Sequence, residues 1–564
     1  MQNYRNLGRA AACWITVISG CACSGGGGSG GGVVTPPAPV PSISAADAVR
    51  LAKQASFGPT KPLIDHILAL GSASAWVDEQ LAASGSAYSD LSKRTVAVNY
   101  CSSMASSAQG VCNRDYMSAT PVQMEFYAHA AQNNDQLRQR VAFALSQIIV
   151  TSDLEVRSTA GAAAFNQILL DNAFGNYRDI IKAVTLNPYM GAYLNLANSS
   201  RNAPNENYAR ELMQLFTTGV NQLNADGSAV VDGSGAPVPV YTAGDVHDIA
   251  RALTGLTYAR LNNAPITDNV NLDYSSPMIV NPATYDSTAK AFLGTAVAAG
   301  ATQSVSMNAV IDAVFNNAST APHIAEFLIQ QLVTANPSTA YVGRISAVFA
   351  NDGTGVRGNL RAVVRAILLD SEARGDSESS PAYGKVKEPV LYNLSIGRLI
   401  GDTTDGYAFT TRDAAMGQAP FRAPSVFNFY PPDYPLPLGG GLLSPTSKLM
   451  TTGAIIARHN LAYDWTVSGD AVNRPEYAVQ PTIAGATGTQ PNWSLWEGFG
   501  TNTNAMLAEI NLLMLNNTMS AAQQAALMAA VAAVTDPDPA TQARHRAQTA
   551  LYIVATSPQF QVDR

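Results

Sequence analysis

Apolar residues recur at helical spacing through most of the chain. Leu63-Ile64, Ile67-Leu68 and Leu70 form one stripe, and Leu137, Val141-Ala142, Leu145 and Ile148-Ile149 form a more regular one. Capping residues stand where these patterns begin: Thr60 with Pro62 before the first, Asp135 before the second. Near the end, Ser520 opens Ala521 to Val534, and Asp538-Pro539 opens a last helix running to Ala555, with Pro558 just beyond. Asn205 caps a further helix that ends at Gly219. Alternating patterns are scarce. Ala229-Val230-Val231 and Val238-Pro239-Val240-Tyr241, separated by Asp232-Gly233-Ser234-Gly235, predict a short hairpin between helices. The class is therefore mainly α: a large multi-helix globular body with a small β-hairpin insertion and long loops. Leu261 to Ser304 and Gly469 to Thr503 read as those loops, the second carrying Trp493 and Trp496. No internal repeat of solenoid period is present, so 43–564 reads as one large body, or as two packed lobes meeting near residue 300.

The first residues follow a different grammar. Arg5 and Arg9 precede a short apolar run, Ala10 to Ile18, too short to span a bilayer and of signal-peptide proportions. It ends in Val17-Ile18-Ser19-Gly20-Cys21, which resembles a lipobox: small residues before a Cys whose thiol takes a diacylglyceryl group before cleavage. On this reading 1–20 is a removed lipoprotein signal peptide and Cys21 is the acylated mature N-terminus. Ala22, rather than Asp, at the next position resembles the outer-membrane sorting signal of Gram-negative lipoproteins. Residues 21–42 are rich in Gly and Ser and then in Pro, a tether that stiffens toward the body. Its Gly27-Gly28-Ser29-Gly30-Gly31 matches a nucleophile elbow in letters only, with no strand before it and no helix after it.

Charge and cysteine content narrow the partners. Of 564 residues only 13% are charged, against about 25% in average soluble proteins, and the net charge is −7. No basic footprint for nucleic acid exists in such a chain. Cys13 leaves with the signal and Cys21 carries lipid, which leaves Cys101 and Cys112 as a predicted disulfide around a small, polar stretch; Cys23 has no assigned role.

The six histidines are scattered, with no H-x-H or HExxH spacing, so no sequence-local metal site and no cofactor motif is read. Asn224 to Ser228 is similar to part of a calcium loop, but Gln222 and Gly233 stand where carboxylates are required, and a turn explains the segment better. The Arg-Gly-Asp tripeptide at Arg374 is read as accidental. The densest polar segment is Pro204 to Gly219. There Glu206 lies in the first helical turn and Arg210 one turn on, spaced as an i,i+4 ion pair, while Glu211 falls toward the seam of Tyr208, Leu212 and Leu215 and calls for a buried cation, Arg138 or Arg140 being candidates.

These residues carry a resemblance. Asn205 to Gly219 is similar to the hallmark of a large bacterial family named only as domain of unknown function 1800. Further blocks agree in order: Ala55 to Thr60, Gln136 to Ser146, Ala173 to Arg178, Asn187 to Gly191, Ala250 to Gly255, Leu369 to Arg374, Lys387-Glu388-Pro389, Pro424 to Tyr430 and Ser557 to Phe560. The resemblance implies export and a co-encoded exported partner of the domain of unknown function 1501 family, itself similar to sulfatase- or phosphatase-like proteins; it implies no settled activity. His323 matches the family pattern, whereas Tyr285-Asp286 stands where relatives often have His-Asp, and Phe216 where some have His.

Two readings follow. One is a lipid-anchored cell-envelope module that binds or assembles, with an envelope polysaccharide or the co-encoded protein as partner. The alternative is a glycan-directed hydrolase or transferase using the Glu206 and Glu211 carboxylates with Arg210. Whether the protein is an enzyme turns on whether Glu206, Arg210, Glu211, His323, Asp370, Arg374 and Arg422 converge on an open pocket or neutralise one another.

Overall fold

Twelve successive residues of the helix Pro389–Ile400 are buried, including Asn393 and Arg398. A helix apolar on every side is stable only inside a large body, and its polar members must find partners there. Asn393 does so twice, donating to the Phe409 carbonyl at 3.1 Å and accepting the Trp465 indole N–H at 2.9 Å. The computed structural model describes residues 43–267, 269–375, 380–437, 439–468 and 474–564. The segments read above as a signal peptide, an acylated Cys21 and a tether lie outside the described residues.

Among these residues there are 24 α-helices and five two-stranded antiparallel sheets, none with a strand longer than three residues. The protein is mainly α. Residues 43–564 make one compact unit, with one apolar core that runs from Ala48 to Phe560. The helix Gln136–Ile148 threads this core and packs on Ala73–Ala82, Thr159–Asp171 and Thr320–Leu332. A small satellite cluster surrounds the bond between Cys101 and Cys112, whose Cα atoms are 5.5 Å apart. No helix among the described residues is long and apolar enough to cross a membrane.

Most caps fall where the sequence places them. Thr60 accepts from Leu63, Ser520 forms a reciprocal capping box with Gln523, and Asp538 accepts from Thr541 ahead of Pro539–Ala555. Asp135 is an exception: its carboxylate accepts from Ser86 and Gln139 and caps nothing. The hallmark helix is shorter than its pattern. It spans Asn207–Gln214 with Glu206 at the cap position, and does not reach Gly219. Thr217 and Thr218 hydroxyls take the Leu212 and Met213 carbonyls at 2.6 and 3.1 Å, and Phe216 and Thr218 N–H groups reach back five residues, which opens the last turn. Gly219 then leaves at φ +72°.

The expected hairpin is a three-segment turn. Gln222 N–H donates to Val238, Val238 to Val230 and Val230 to Gln222, each at 2.8 to 2.9 Å, so three extended stretches close on one another. The first stretch was invisible as a strand because Val220-Asn221-Gln222-Leu223 has no alternation to mark it. Asp226 and Asp232 fold the two connecting turns by accepting from Ser228 and Ser234.

Candidate functional site

Asn205 is the hinge of the hallmark segment. Its backbone N–H donates to Ser199 Oγ at 3.0 Å, and its Oδ1 accepts from the Asn207 N–H at 3.0 Å, which starts the helix. Asn207 Nδ2 donates to Asn195 Oδ1 at 3.3 Å, and Asn198 Oδ1 accepts from Thr257 Oγ1 at 2.6 Å. Asn195 and Asn198 both sit in the left-handed region, at φ +57° and +65°, which asparagine tolerates better than other side chains. These turns wall a cleft of about 330 Å³ lined by three asparagines, Asn195, Asn198 and Asn205, with Ser199 and Tyr258. Each asparagine uses its oxygen inside the protein, and its amide NH2 has no acceptor among the described residues. The cleft therefore offers hydrogen-bond donors to an acceptor-rich ligand.

Glu206, next to the cleft, meets a guanidinium and an imidazole. Arg210 Nη2 reaches Glu206 Oε2 at 3.2 Å, the i,i+4 pair read from the sequence, and His247 Nδ1 reaches Oε1 at 3.3 Å. Side-chain exposures of 39 to 53% put all three in water, where such pairs contribute little. His247 comes from the helix Ala243–Ala252 and had no signal in the sequence, because 41 residues separate it from Glu206.

Glu211 faces inward and is only 6% exposed. Its Oε2 has no partner, and burial pushes its carboxyl above the usual range, opposed by the nearby Arg210 charge. Burial also pushes the Tyr193 phenol up to about 12, with Glu155 and then Glu211 adding to it. The expected buried cation is absent from this place. Arg138 donates instead to the Ala83 and Leu170 carbonyls, and Arg140 to the Gln331 carbonyl at 2.6 Å. Ala83 and Leu170 lie at helix ends, where carbonyls lack intrahelical donors and compete for any guanidinium in reach.

The remaining candidates lie in other settings. His323 Nε2–H donates to the Leu215 carbonyl at 3.2 Å and packs beside Gly219, and burial pushes its imidazole down, so it is neutral at pH 7. Asp370 caps Ser371–Arg374 and is gripped by Arg344 through two bonds of 2.8 Å. Arg374 pairs with Asp47 at 3.1 Å and bonds Gln54, and burial lowers its guanidinium to about 10. Arg422 pairs with the buried Asp153 at 2.9 Å. Thus Glu206 and Arg210 meet, Asp370 and Arg374 share one short helix, and Arg422 has its own carboxylate; they form no common pocket.

The family departures are also accounted for locally. The Tyr285 hydroxyl bonds Ser306 Oγ at 2.5 Å, and Asp286 meets Arg251 at 2.9 Å. Burial works against ionising Asp286, but bonds from Thr288 and Arg251 outweigh it and hold its carboxyl at about 2. Phe216 stacks edge-on against Tyr208, and its carbonyl accepts the Tyr177 hydroxyl at 2.6 Å. Among the described residues no three His, Cys, Asp or Glu side chains are grouped to hold a metal ion.

Fold and cleft together define a large helical protein with a polar, amide-lined depression at its hallmark helix. Residues 50–562 match the family described as "Protein of unknown function (DUF1800)", and the chain belongs to that family. No curated protein and no solved structure matches the chain.

Proposed function

We propose that the protein is a lipid-anchored cell-envelope module that holds a ligand or partner at the Asn205 cleft and leaves it chemically unchanged. The observation that carries this reading is the pairing of the charged candidates. Glu206, Asp370, Arg374 and Arg422 each meet an opposite charge of their own, while the cleft beside Glu206 is lined by neutral amides. Paired side chains fix geometry, and amides with free N–H groups recognise acceptors without a proton to exchange. The basic, apolar and small-residue order before Cys21 supports export and acylation, and with Ala22 supports the outer membrane of a Gram-negative cell. The co-encoded exported protein of the 1501 family and envelope polysaccharide are the partners this reading names.

The test is fractionation of the native protein and Cys21→Ser with affinity capture of each. Retention of the native protein in membranes, an acylated N-terminal peptide by mass spectrometry, and a reproducible co-purifying exported protein are expected. Equal retention of Cys21→Ser overturns the anchor. A second reading, a glycan-directed hydrolase or transferase, is favoured by one observation: the Glu211 carboxyl is unpaired and raised, as a general acid is. Glu206 and Glu211 face opposite ways, out to water and into the core, so the two do not share one cleft.

A further inference from the structure

A second cavity, larger than the Asn205 cleft, lies away from the hallmark helix. A groove of about 810 Å³ opens between the helices Lys61–Leu70 and Ala73–Ala82, the turn after Thr120–Gln132, the end of Pro389–Ile400 and the turn at Asn492. Its volume lies within the range of small-molecule sites, roughly 300 to 1,000 Å³.

Six amides line it: Gln80, Gln132, Asn133, Asn134, Gln136 and Asn492. Gln80 spends Oε1 on the Leu137 N–H, Asn133 spends Nδ2 on Ser86, Gln132 spends Nε2 on the Ala128 and Thr404 carbonyls, and Asn492 spends Oδ1 on Ser494. Gln80, Gln132, Asn133 and Asn492 each keep the other amide atom, and Asn134 keeps both, uncommitted among the described residues, while Gln136 uses both of its own on Phe57, Ala130 and Asn133, so the lining supplies free donors and free acceptors. Arg398 adds a fixed cation. Its Nε and Nη1 donate to the Gly58, Ala130 and Ala131 carbonyls at 2.8 to 3.1 Å, which locks the guanidinium and leaves Nη2 as the nitrogen without an acceptor among the described residues.

The other charges at the groove are balanced. His66 Nε2 meets both Glu79 oxygens at 2.9 and 3.0 Å, and Lys61 meets Asp65 at 2.9 Å. Two further lining residues hold buried polar atoms with no partner, the Trp76 indole Nε1 and both carboxyl oxygens of Asp402. Burial pushes the Asp402 carboxyl well above the usual carboxylate range. An unpartnered buried polar atom costs stability.

We propose that this groove is a carbohydrate-binding site for an oligosaccharide segment, its hydroxyls read by the amides and Arg398 and its C–H face resting on Leu63 and Leu495. A sugar hydroxyl both donates and accepts, which matches a wall of half-committed amides. Protein-binding surfaces are instead centred on exposed aromatic anchors, and the one aromatic side chain lining this groove, Trp76, is fully buried. The site is distinct from the Asn205 cleft and goes beyond the reading given for it.

Titration calorimetry of the full-length chain in detergent with chitotriose, maltotriose and cellotriose tests this. Saturable binding of at least one trisaccharide is expected, weakened roughly tenfold or more by Asn134→Ala with Asn492→Ala, both exposed, at an unchanged melting temperature. No heat with any of the three at millimolar sugar, or binding that the double substitution leaves intact, overturns the site. Membrane retention is scored separately, so failure here leaves the anchored reading standing, and loss of the anchor leaves the sugar result readable.

Discussion

Two polar depressions on this molecule are built by opposite means. The Asn205 cleft is made from neighbouring segments, and the charges beside it are exposed and paired one turn apart. The groove at Arg398 is made from five distant stretches, and its defining groups are buried, Arg398 against carbonyls and Asp402 against nothing. Exposed pairs are cheap to make and cheap to lose. Buried polar groups are costly, and the fold keeps them only where other bonds or a ligand offset the cost. The difference teaches that density of charge along the chain marks where a helix is solvated, while the groups under most physical constraint are spaced hundreds of residues apart.

Substitution separates the two regions by size of effect. Arg398→Met strips donors from three buried carbonyls and is expected to destabilise by roughly 3 kcal/mol or more, read as a lower midpoint in urea; a loss below about 1 kcal/mol would remove Arg398 as the groove's fixed point. Opening the Cys101–Cys112 bond by Cys101→Ser with Cys112→Ser should cost about 2 to 3 kcal/mol, with the core unchanged because that pair belongs to a satellite cluster.

Asp402→Asn should have the opposite sign. The folded carboxyl is raised by burial above the ordinary value of 3.8, so the folded state binds a proton that the unfolded state releases once the pH exceeds that value. The native protein thus loses stability as the pH climbs from 3.8 toward the folded value, and the loss is complete above it. Asn imitates the neutral acid, so the variant should melt higher than the native protein at pH 7 and equally at pH 3.5 or below, on the order of half a unit under the ordinary value. Equal melting at both pH values would show that Asp402 is ionised and partnered. The smallest change is Glu206→Gln, which removes an exposed pair and should shift stability by less than about 1 kcal/mol, leaving its consequence to be read in ligand or partner capture.

Three helices were legible because each is both periodic and capped: Thr60, Ser520 and Asp538 hold the N–H groups that the pattern assigns them. Arg210 on Glu206 was legible for the same local reason. What lay beyond reach was tertiary competition. Nothing near Arg138 and Arg140 in the chain announces that the Ala83, Leu170 and Gln331 carbonyls will take them from Glu211. His247 reaches Glu206 from another helix, and Trp76, Asn134, Arg398, Asp402 and Asn492 meet only after the chain has folded. The premature end of the hallmark helix had a visible sign in Thr217-Thr218-Gly219, two hydroxyls able to capture carbonyls ahead of a residue suited to the left-handed exit.

The claim on which the account turns is that this body holds its ligand without cutting it. Purified protein mixed with isolated envelope polysaccharide, with bound protein and released reducing ends measured in the same samples, decides between holding and cutting. Sedimentation of the protein with the polymer and no rise in reducing ends is the predicted result. Soluble fragments that accumulate with time, and that cease with Glu211→Gln in a protein of unchanged melting temperature, would contradict it and establish the hydrolytic reading instead.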